Sequence, residues 1–250
     1  MHFPTLADIA TPEVITIDAN ESVQAAIHRM VAHNLRDIIV THHHDWRILT
    51  SRELIALRLK EVPFDTPLSY MHLNPVPTLP PQANALEALD VIRRHPNDYV
   101  CVTNADKALL GIVSDTDLAA CLDPTELAKT KTLAEVLKTT QYTQANVDQP
   151  IADVFSALDR SDQNAAIVYA GAQAQGLITQ SDAIRVFDQN GDLNTAAGSV
   201  MSTPLQTFRS DLPLGQALSK ARACGIKRLV IVDPHHGQPV GLLHQRDLVS

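Results

Sequence analysis

Aromatic residues are scarce, at 4% of the 250-residue chain. A core here has to be built from Ala, Val, Ile and Leu. With 45% hydrophobic residues there is enough of that material for one or two globular domains. Cysteine is nearly absent. Cys101, Cys121 and Cys224 contain no C-x-x-C pair, which excludes a disulfide framework and zinc-ligand spacing and points to reduced thiols in the cytoplasm. Cys101 lies in a strand-like run and reads as a small core residue. Positive charge is in deficit, with 20 Lys and Arg against 28 Asp and Glu and a formal net charge of −8. That balance argues against nucleic acid as a partner, since sequence-independent binding needs a basic footprint. No apolar run approaches the roughly 18–20 residues that span a bilayer. The opening Met-His-Phe-Pro-Thr shows no basic region followed by an apolar one, so neither membrane insertion nor a signal peptide is expected. A nucleophile elbow with a Ser–His–Asp set, a P-loop and an H-E-x-x-H pair are all missing, so no enzyme is expected in this segment.

What the chain does have is a repeat. Gly-Ile-Val-Ser-Asp-Thr-Asp at 111–117 joins a β-branched strand end to a polar helix start. It recurs as Gly-Leu-Ile-Thr-Gln-Ser-Asp at 176–182 and Gly-Leu-Leu-His-Gln-Arg-Asp at 241–247. A worn copy, Arg-Ile-Leu-Thr-Ser-Arg-Glu, occupies 47–53. The copies begin at 47, 111, 176 and 241, so the spacings are 64, 65 and 65. A period that regular sets the frame for the whole chain.

Each repeat follows one plan. A short segment runs into Thr at 10–16, 71–78, 137–143 and 201–207. An amphipathic helix follows, with Asn20 placed to cap the first. The helix faces expected to be buried are Val23, Ile27, Met30 and Val31; Leu86, Leu89 and Ile92; Ile151, Val154, Phe155 and Leu158 (after Asp148); and Leu214, Ala217, Leu218 and Ala221. Short strands are expected at 38–40, 99–102, 166–169 and 229–232. Polar turns follow at 42–46, 104–107, 170–175 and 233–238. The motif then closes the hairpin and launches a second helix. Only three residues follow Asp247, so the last helix is expected to be truncated and the parent protein to continue. The joins at 60–66, 123–132 and 188–196 are short and polar and carry Pro63, Pro124 and Gly191.

A repeat of about 60 residues in β-α-β-β-α order, with an early V-x-T and a late G-h-h-[ST]-x-x-D, resembles the cystathionine-β-synthase (CBS) domain. Val14-Ile15-Thr16, Val76-Pro77-Thr78 and Leu205-Gln206-Thr207 match the early element, and Gln141-Tyr142-Thr143 matches it more weakly. Asp8-Ile9-Ala10-Thr11-Pro12 and Ser199-Val200-Met201-Ser202-Thr203-Pro204 are similar to the family's opening phrase. The resemblance implies an α/β (α+β) fold of four repeats, 5–60, 66–123, 131–188 and 195–250, paired first with second and third with fourth into two pseudo-twofold Bateman modules. It also implies clefts for an adenine nucleotide (AMP, ADP or ATP) or S-adenosylmethionine. In those clefts the late Asp holds the ribose hydroxyls, the Ser or Thr three residues earlier lies near the phosphate, and the early Thr region lines the base. The ligand-binding candidates are therefore Thr78, Ser114, Asp117, Thr143, Thr179, Asp182, Thr207, His244 and Asp247. Elementary chemistry agrees: a carboxylate accepts both hydrogen bonds of a cis-diol, and a hydroxyl at a helix start joins backbone N–H groups around an anion.

Repeats two and three keep both polar groups, Ser114 with Asp117 and Thr179 with Asp182. Repeat four has His244 for the hydroxyl, and repeat one has Glu53 for Asp, its carboxylate one methylene out of register with a diol. One dominant site per pair is expected, at Asp117 and at Asp182. The competing reading is that these carboxylates simply favour the helix dipole. His42-His43-His44 and His235-His236 read as solvated turns rather than metal ligands. Arg36 and Arg228 precede the middle strands at matching places and are candidates for phosphate contact or for surface cations. Trp46 in its turn reads as part of the core or an interface. Leu54, Leu57 and Leu118 are expected to be half-buried, which suggests a homodimer or a disc made of both pairs. The expected function is a non-enzymatic sensor acting on a C-terminal output domain, for instance a cyclic-di-GMP GGDEF or EAL domain. A structural dimerisation module with empty clefts and a divalent-cation sensor are the alternatives.

Overall fold

The computed structural model describes residues 3–42, 45–95, 98–121, 131–137, 139, 141–161 and 163–249. The chain divides into two units, Met1–Cys121 and Leu122–Ser250. Among the described residues the strands form four sheets of one design. The first strand is parallel to the second, and the second is antiparallel to the third.

In the first repeat, β1 (Thr16–Asp18) leads to α2 (Val23–Ala32), following the short α1 (Leu6–Ile9). The hairpin β2 (Asp37–His42) and β3 (Asp45–Thr50) follows, and then α3 (Ser51–Leu59). The second repeat holds β5 (Thr78–Leu79), α4 (Ala85–Arg94), β6 (Tyr99–Thr103), β7 (Leu109–Ser114) and α5 (Asp115–Ala120), with a two-residue strand β4 (Asn74–Pro75) ahead of them. The third contains α6 (Leu133–Val136), β8 (Thr143–Asn146), α7 (Ile151–Arg160), β9 (Ala165–Ala170), β10 (Gln173–Thr179) and α8 (Gln180–Asp188). The fourth contains α9 (Ala197–Val200), β11 (Thr207–Arg209), α10 (Leu214–Ala223), β12 (Arg228–Val232), β13 (Pro239–His244) and a 3-10 turn at Gln245–Val249.

Helix starts follow local chemistry. Ser22, not Asn20, caps α2 by accepting the Ala25 N–H at 3.1 Å. Asn20 instead donates its N–H to Asp18 in the preceding turn. Asn84 caps α4 by accepting the Leu86 and Glu87 N–H groups. The buried faces of α7 and α10 are as expected. On α4 the buried face is Ala85, Ala88 and Ile92, and Leu86 is exposed; on α2, Val31 is exposed. Leu54 and Leu118 are buried rather than half-buried, and Leu57 is half-buried as expected. The first hairpin is tighter than expected: β2 and β3 pair out to His42 and Asp45. Trp46 thus belongs to a strand and packs with Ile39, Ile48, Val76 and Cys101. His43, His44, Pro124 and most of the 123–132 join lie outside the described residues.

The opening segment of each repeat does not pack on its own repeat. In α1, Leu6 and Ala7 donate to Ala83 and Pro81 of the second repeat, and the Leu6 side chain enters that repeat's core. In return Leu68 and Ser69 donate to Glu21 and Ala19 of the first. The second unit repeats the exchange. Leu133 and Ala134 of α6 donate to Leu212 and Ser210, while Ala197 and Gly198 of α9 donate to Gln149 and Val147. Leu133 fills the fourth repeat's core with Phe208, Leu218 and Leu243.

This exchange explains the motif's glycine. After their helices, the crossing segments of repeats one and four run against the sister hairpins: Thr11 trades backbone hydrogen bonds with Ile112, and Ser202 with Leu177. A Cβ at Gly111 would lie 2.9 Å from the Thr11 carbonyl oxygen, and one at Gly176 would lie 2.7 Å from that of Ser202. Repeat one has Arg47 at this place. There the crossing segment pairs one residue further, Arg47 with Pro75 as well as Ile48 with Asn74, and Arg47 donates to the Leu73 carbonyl at 3.1 Å. The extra pairing makes β4 a fourth strand of that sheet.

Candidate functional site

All four late motifs fold into the same local device, in which the acidic side chain reaches back to the residue three before it. Ser114 donates its N–H (2.8 Å) and hydroxyl (2.7 Å) to Asp117 Oδ2. Thr179 donates the same two groups to Asp182 Oδ2 (2.6 and 2.8 Å). Thr50 does so to Glu53 Oε2 (2.7 and 3.1 Å). His244 donates its N–H to Asp247 Oδ2 (2.7 Å). The longer Glu53 closes a capping box like its counterparts, and its other oxygen accepts from Asn74. Burial raises the pKa of Glu53, Thr50's hydrogen bonds oppose that rise, and Asp37 adds to it.

The four carboxylates differ in their surroundings. A carboxylate presents about four lone-pair sites. Asp182 gives two to Thr179 and another to Arg185, and its side chain is 3% exposed. Asp117 and Asp247 are each partly exposed.

Asp247 borders a cleft of about 350 Å³ inside the second unit, within the roughly 300–1,000 Å³ typical of small-molecule sites. One wall comes from the third repeat: Val136, Leu137 and Thr139 from the crossing segment, and Gln163, Asn164 and Ala165 ahead of and at the start of β9. The other comes from the fourth: Arg228, Leu242, Leu243, His244 and Asp247. Arg228 sits opposite His244 in the hairpin register and donates Nε to Asn164 Oδ1 at 2.5 Å. A cation and a carboxylate thus border one recess, with the apolar Leu137, Leu242 and Ala165 also lining it.

The equivalent place in the first unit carries a network of polar side chains. The hairpin registers pair Asp37 with Thr50 and Tyr99 with Ser114, where the second unit pairs Ala165 with Thr179 and Arg228 with His244. Tyr99 donates its hydroxyl to Asp37 Oδ2 at 2.9 Å, from one repeat to the other. Arg36 donates to Asp37 (2.7 Å) and to Asp98 (3.2 Å), and lies 5.9 Å from the Tyr99 ring centroid. Asp37 also accepts the Ser51 N–H at the start of α3. Burial and the Asp37 carboxylate hold the Tyr99 hydroxyl well above its ordinary range. Burial works against the Arg36 charge, but Asp37, Tyr99 and Asp98 more than offset it and keep its pKa raised.

Of the nine candidate residues, the cleft takes in His244 and Asp247. Thr78 and Thr207 are exposed and share one register position, opposite Cys101 and Val230. Thr143 falls one residue early: Gln144 pairs with Ile167, the equivalent of Cys101 and Val230, so Thr143 faces the other side of its strand. Arg36 and Arg228 are not at matching places either. Arg228 aligns with Asp37, and Arg36 one residue ahead of it, tied to two carboxylates. His235 and His236 form an exposed turn whose N–H groups donate to Asp233. Among the described residues no cluster of three His, Cys, Asp or Glu could hold a metal ion, and no helix is long and apolar enough to cross a membrane. The sequence reading missed Asn164 and Ala165. Aligning the four repeats on their hairpins would have flagged Ala165 as the small residue where the others carry Asp37, Tyr99 and Arg228.

The family model described as CBS domain matches residues 6–59, 69–123 and 197–250. The third hairpin builds the same sheet with β8. No curated protein matches the chain. Among solved structures, a Methanocaldococcus jannaschii protein presented as a candidate archaeal homologue of γ-AMPK is 17% identical, over 98% of this chain and 99% of that one, with a TM-score of 0.85. An uncharacterized conserved protein from Pyrococcus horikoshii is 16% identical over 98% of each chain, with a TM-score of 0.63. A CBS domain protein from Pyrobaculum aerophilum, complexed with AMP, is 23% identical over 47% of this chain and 89% of that one, with a TM-score of 0.43.

Proposed function

Since the chain belongs to the CBS-domain family and carries four CBS repeats, we propose that it is a non-catalytic sensor whose second unit binds an adenosine-type nucleotide or S-adenosylmethionine. The observation that carries this reading is the cleft shared by repeats three and four, with Asp247 and Arg228 on its border. The carboxylate accepts the ribose diol, and the guanidinium meets a phosphate or a ligand carboxylate. The adenine lies against the apolar wall of Leu137 and Leu242. In this reading Asp117, Asp182 and Glu53 serve first as helix caps. The change in the cleft is read by an output domain or partner.

A thermal-shift series with AMP, ADP, ATP, S-adenosylmethionine and Mg²⁺ alone tests the reading. A ligand that binds only the folded chain adds about 2.7 kcal/mol of apparent stability at one hundred times its Kd. The expected result is a rise in midpoint with one or more of the adenosine compounds and none with Mg²⁺ alone. No rise with any compound would instead support a structural module, and a rise with Mg²⁺ alone a cation sensor.

A further inference from the structure

Among the described residues, three helices end on a left-handed residue that is not glycine: Asn34 after α2 (φ 52°), Glu61 after α3 (φ 57°) and Asn190 after α8 (φ 49°). Each closes the same cap, in which the N–H of the left-handed residue returns to a carbonyl of the last turn and the next N–H reaches further back. For α8, Asn190 donates to the Phe187 carbonyl at 3.1 Å and Gly191 to the Val186 carbonyl at 2.8 Å. For α2, Asn34 donates to Val31 at 3.1 Å and Leu35 to Met30 at 2.8 Å. Asparagine tolerates this backbone better than most side chains do. Gly191 is there for a different reason: a Cβ on it would lie 2.9 Å from Val186 Cγ1 and 3.0 Å from the Val186 carbonyl oxygen. The fold thus sets an exposed Asn beside a Gly at a helix end, and no other Asn-Gly pair occurs in the sequence.

That pair is chemically labile. The backbone nitrogen after an asparagine, once deprotonated, attacks the side-chain Cγ. A C–N bond forms, ammonia leaves and a cyclic imide remains. Water then opens the imide at either carbonyl, giving aspartate or isoaspartate, so that overall water replaces ammonia. A glycine has no side chain to hinder the attack. In the folded chain the Gly191 N–H is bonded to Val186, so the last turn of α8 has to open before that nitrogen is released. We propose that Asn190 is the site at which this chain deamidates spontaneously, and that opening of the α8 cap gates the reaction. The product puts a carboxylate at a helix C-terminus, where the dipole opposes it. Isoaspartate also adds a methylene to the main chain, which breaks the spacing that pairs Gly191 with Val186. Each modified chain therefore has a weakened α8, and the third repeat ages irreversibly.

Peptide mass spectrometry of the full chain after incubation at mildly alkaline pH, folded and in urea, provides the test. In urea the peptide spanning Asn190 should convert first, with isoaspartate as well as aspartate among the products. In the folded chain the same conversion should be about tenfold slower or more, the effect of a turn whose opening costs about 1.4 kcal/mol. Asn34, in the same cap but followed by Leu35, should keep its amide over the same period in both conditions. Asn190→Gly keeps the left-handed cap and should abolish the loss of melting temperature that the wild type shows on incubation. The melting curve of the fresh variant checks that it folds. Conversion of Asn190 no faster than that of Asn34 in the unfolded chain would overturn the site. Equal rates in the folded and unfolded chains would overturn the gating by α8. Wild type and Asn190→Gly losing stability alike would overturn the ageing of the third repeat.

Discussion

At the head of their middle strands the two units place different residues in equivalent positions. The first puts Asp37 against Tyr99 and ties its repeats together with a hydrogen bond and an arginine held by two carboxylates. The second puts Ala165 against Arg228, and a cleft of about 350 Å³ lies beside them. Both units have the same strand order and the same exchange of opening helices, and each has one complete late motif. The motif therefore makes a helix cap wherever it occurs, while the residues that the sister repeat sets beside it differ between the units.

The largest expected effect comes from breaking the network of the first unit. Asp37 is almost fully buried and accepts from Tyr99, Arg36 and Ser51. Asp37→Ala takes the nearer carboxylate from Arg36, whose side chain is 25% exposed, strips Tyr99 and the Ser51 N–H of their acceptor, and should cost about 3 kcal/mol in unfolding free energy, read by urea denaturation of the full chain. A loss below about 1 kcal/mol, the scale of an exposed ion pair, would mean that the network does not hold the first unit together.

The open side is tested by affinity. If Asp247 holds a ribose diol, Asp247→Ala should remove about 2–3 kcal/mol of nucleotide binding, or roughly 30- to 150-fold. Asp182→Ala should change binding less than twofold and lose instead about 1 kcal/mol of helix-cap stability. Calorimetry and melting of both variants would separate the roles, and equal affinity losses would erase the distinction drawn between the two carboxylates.

A transplant sharpens the comparison further. Ala165→Asp sets a carboxylate where the first unit has Asp37, within the cleft that holds Arg228. It should reduce nucleotide affinity at least tenfold, a change of about 1.4 kcal/mol, and because Ala165 is buried thermal melting is read alongside to check that the variant folds. Unaltered affinity would show that the Asp37 position does not control the cleft.

The smallest effect concerns Glu53. Its folded pKa is raised, chiefly by burial, so the folded chain holds that proton more readily than the unfolded one. Stability then falls as pH rises from the ordinary glutamate value through the raised folded value. Glu53→Gln cannot ionise. Its stability relative to wild type should climb through that pH window and level off above it. A flat difference from pH 4 upward would contradict the assignment.

Much of the fold is legible in the residues themselves. The 64, 65 and 65 spacing marks four copies, and the runs 99–102, 166–169 and 229–232 lie inside β6, β9 and β12. The bulky faces of α7 and α10 are readable because helix periodicity is a local property. Details that depend on single residues are less readable. Trp46 belongs to a strand because β2 and β3 pair to their ends. Thr143 misses the position of Thr78 and Thr207 because a one-residue shift in a strand reverses the face.

By itself the sequence determined the repeat, its strand-helix order and the capping boxes, because each rests on contacts within a few residues. Tertiary structure alone decided that the opening helices exchange between sister repeats, so that Gly111 and Gly176 admit a crossing backbone where Arg47 takes an extra pair of strand residues. It also decided that a cleft lies at the altered motif of repeat four. The reason is distance along the chain: Tyr99 lies 62 residues from Asp37, and Arg228 lies 64 from Asn164. Whether such a pair meets depends on two repeats folding against each other, and no window within one repeat contains both partners.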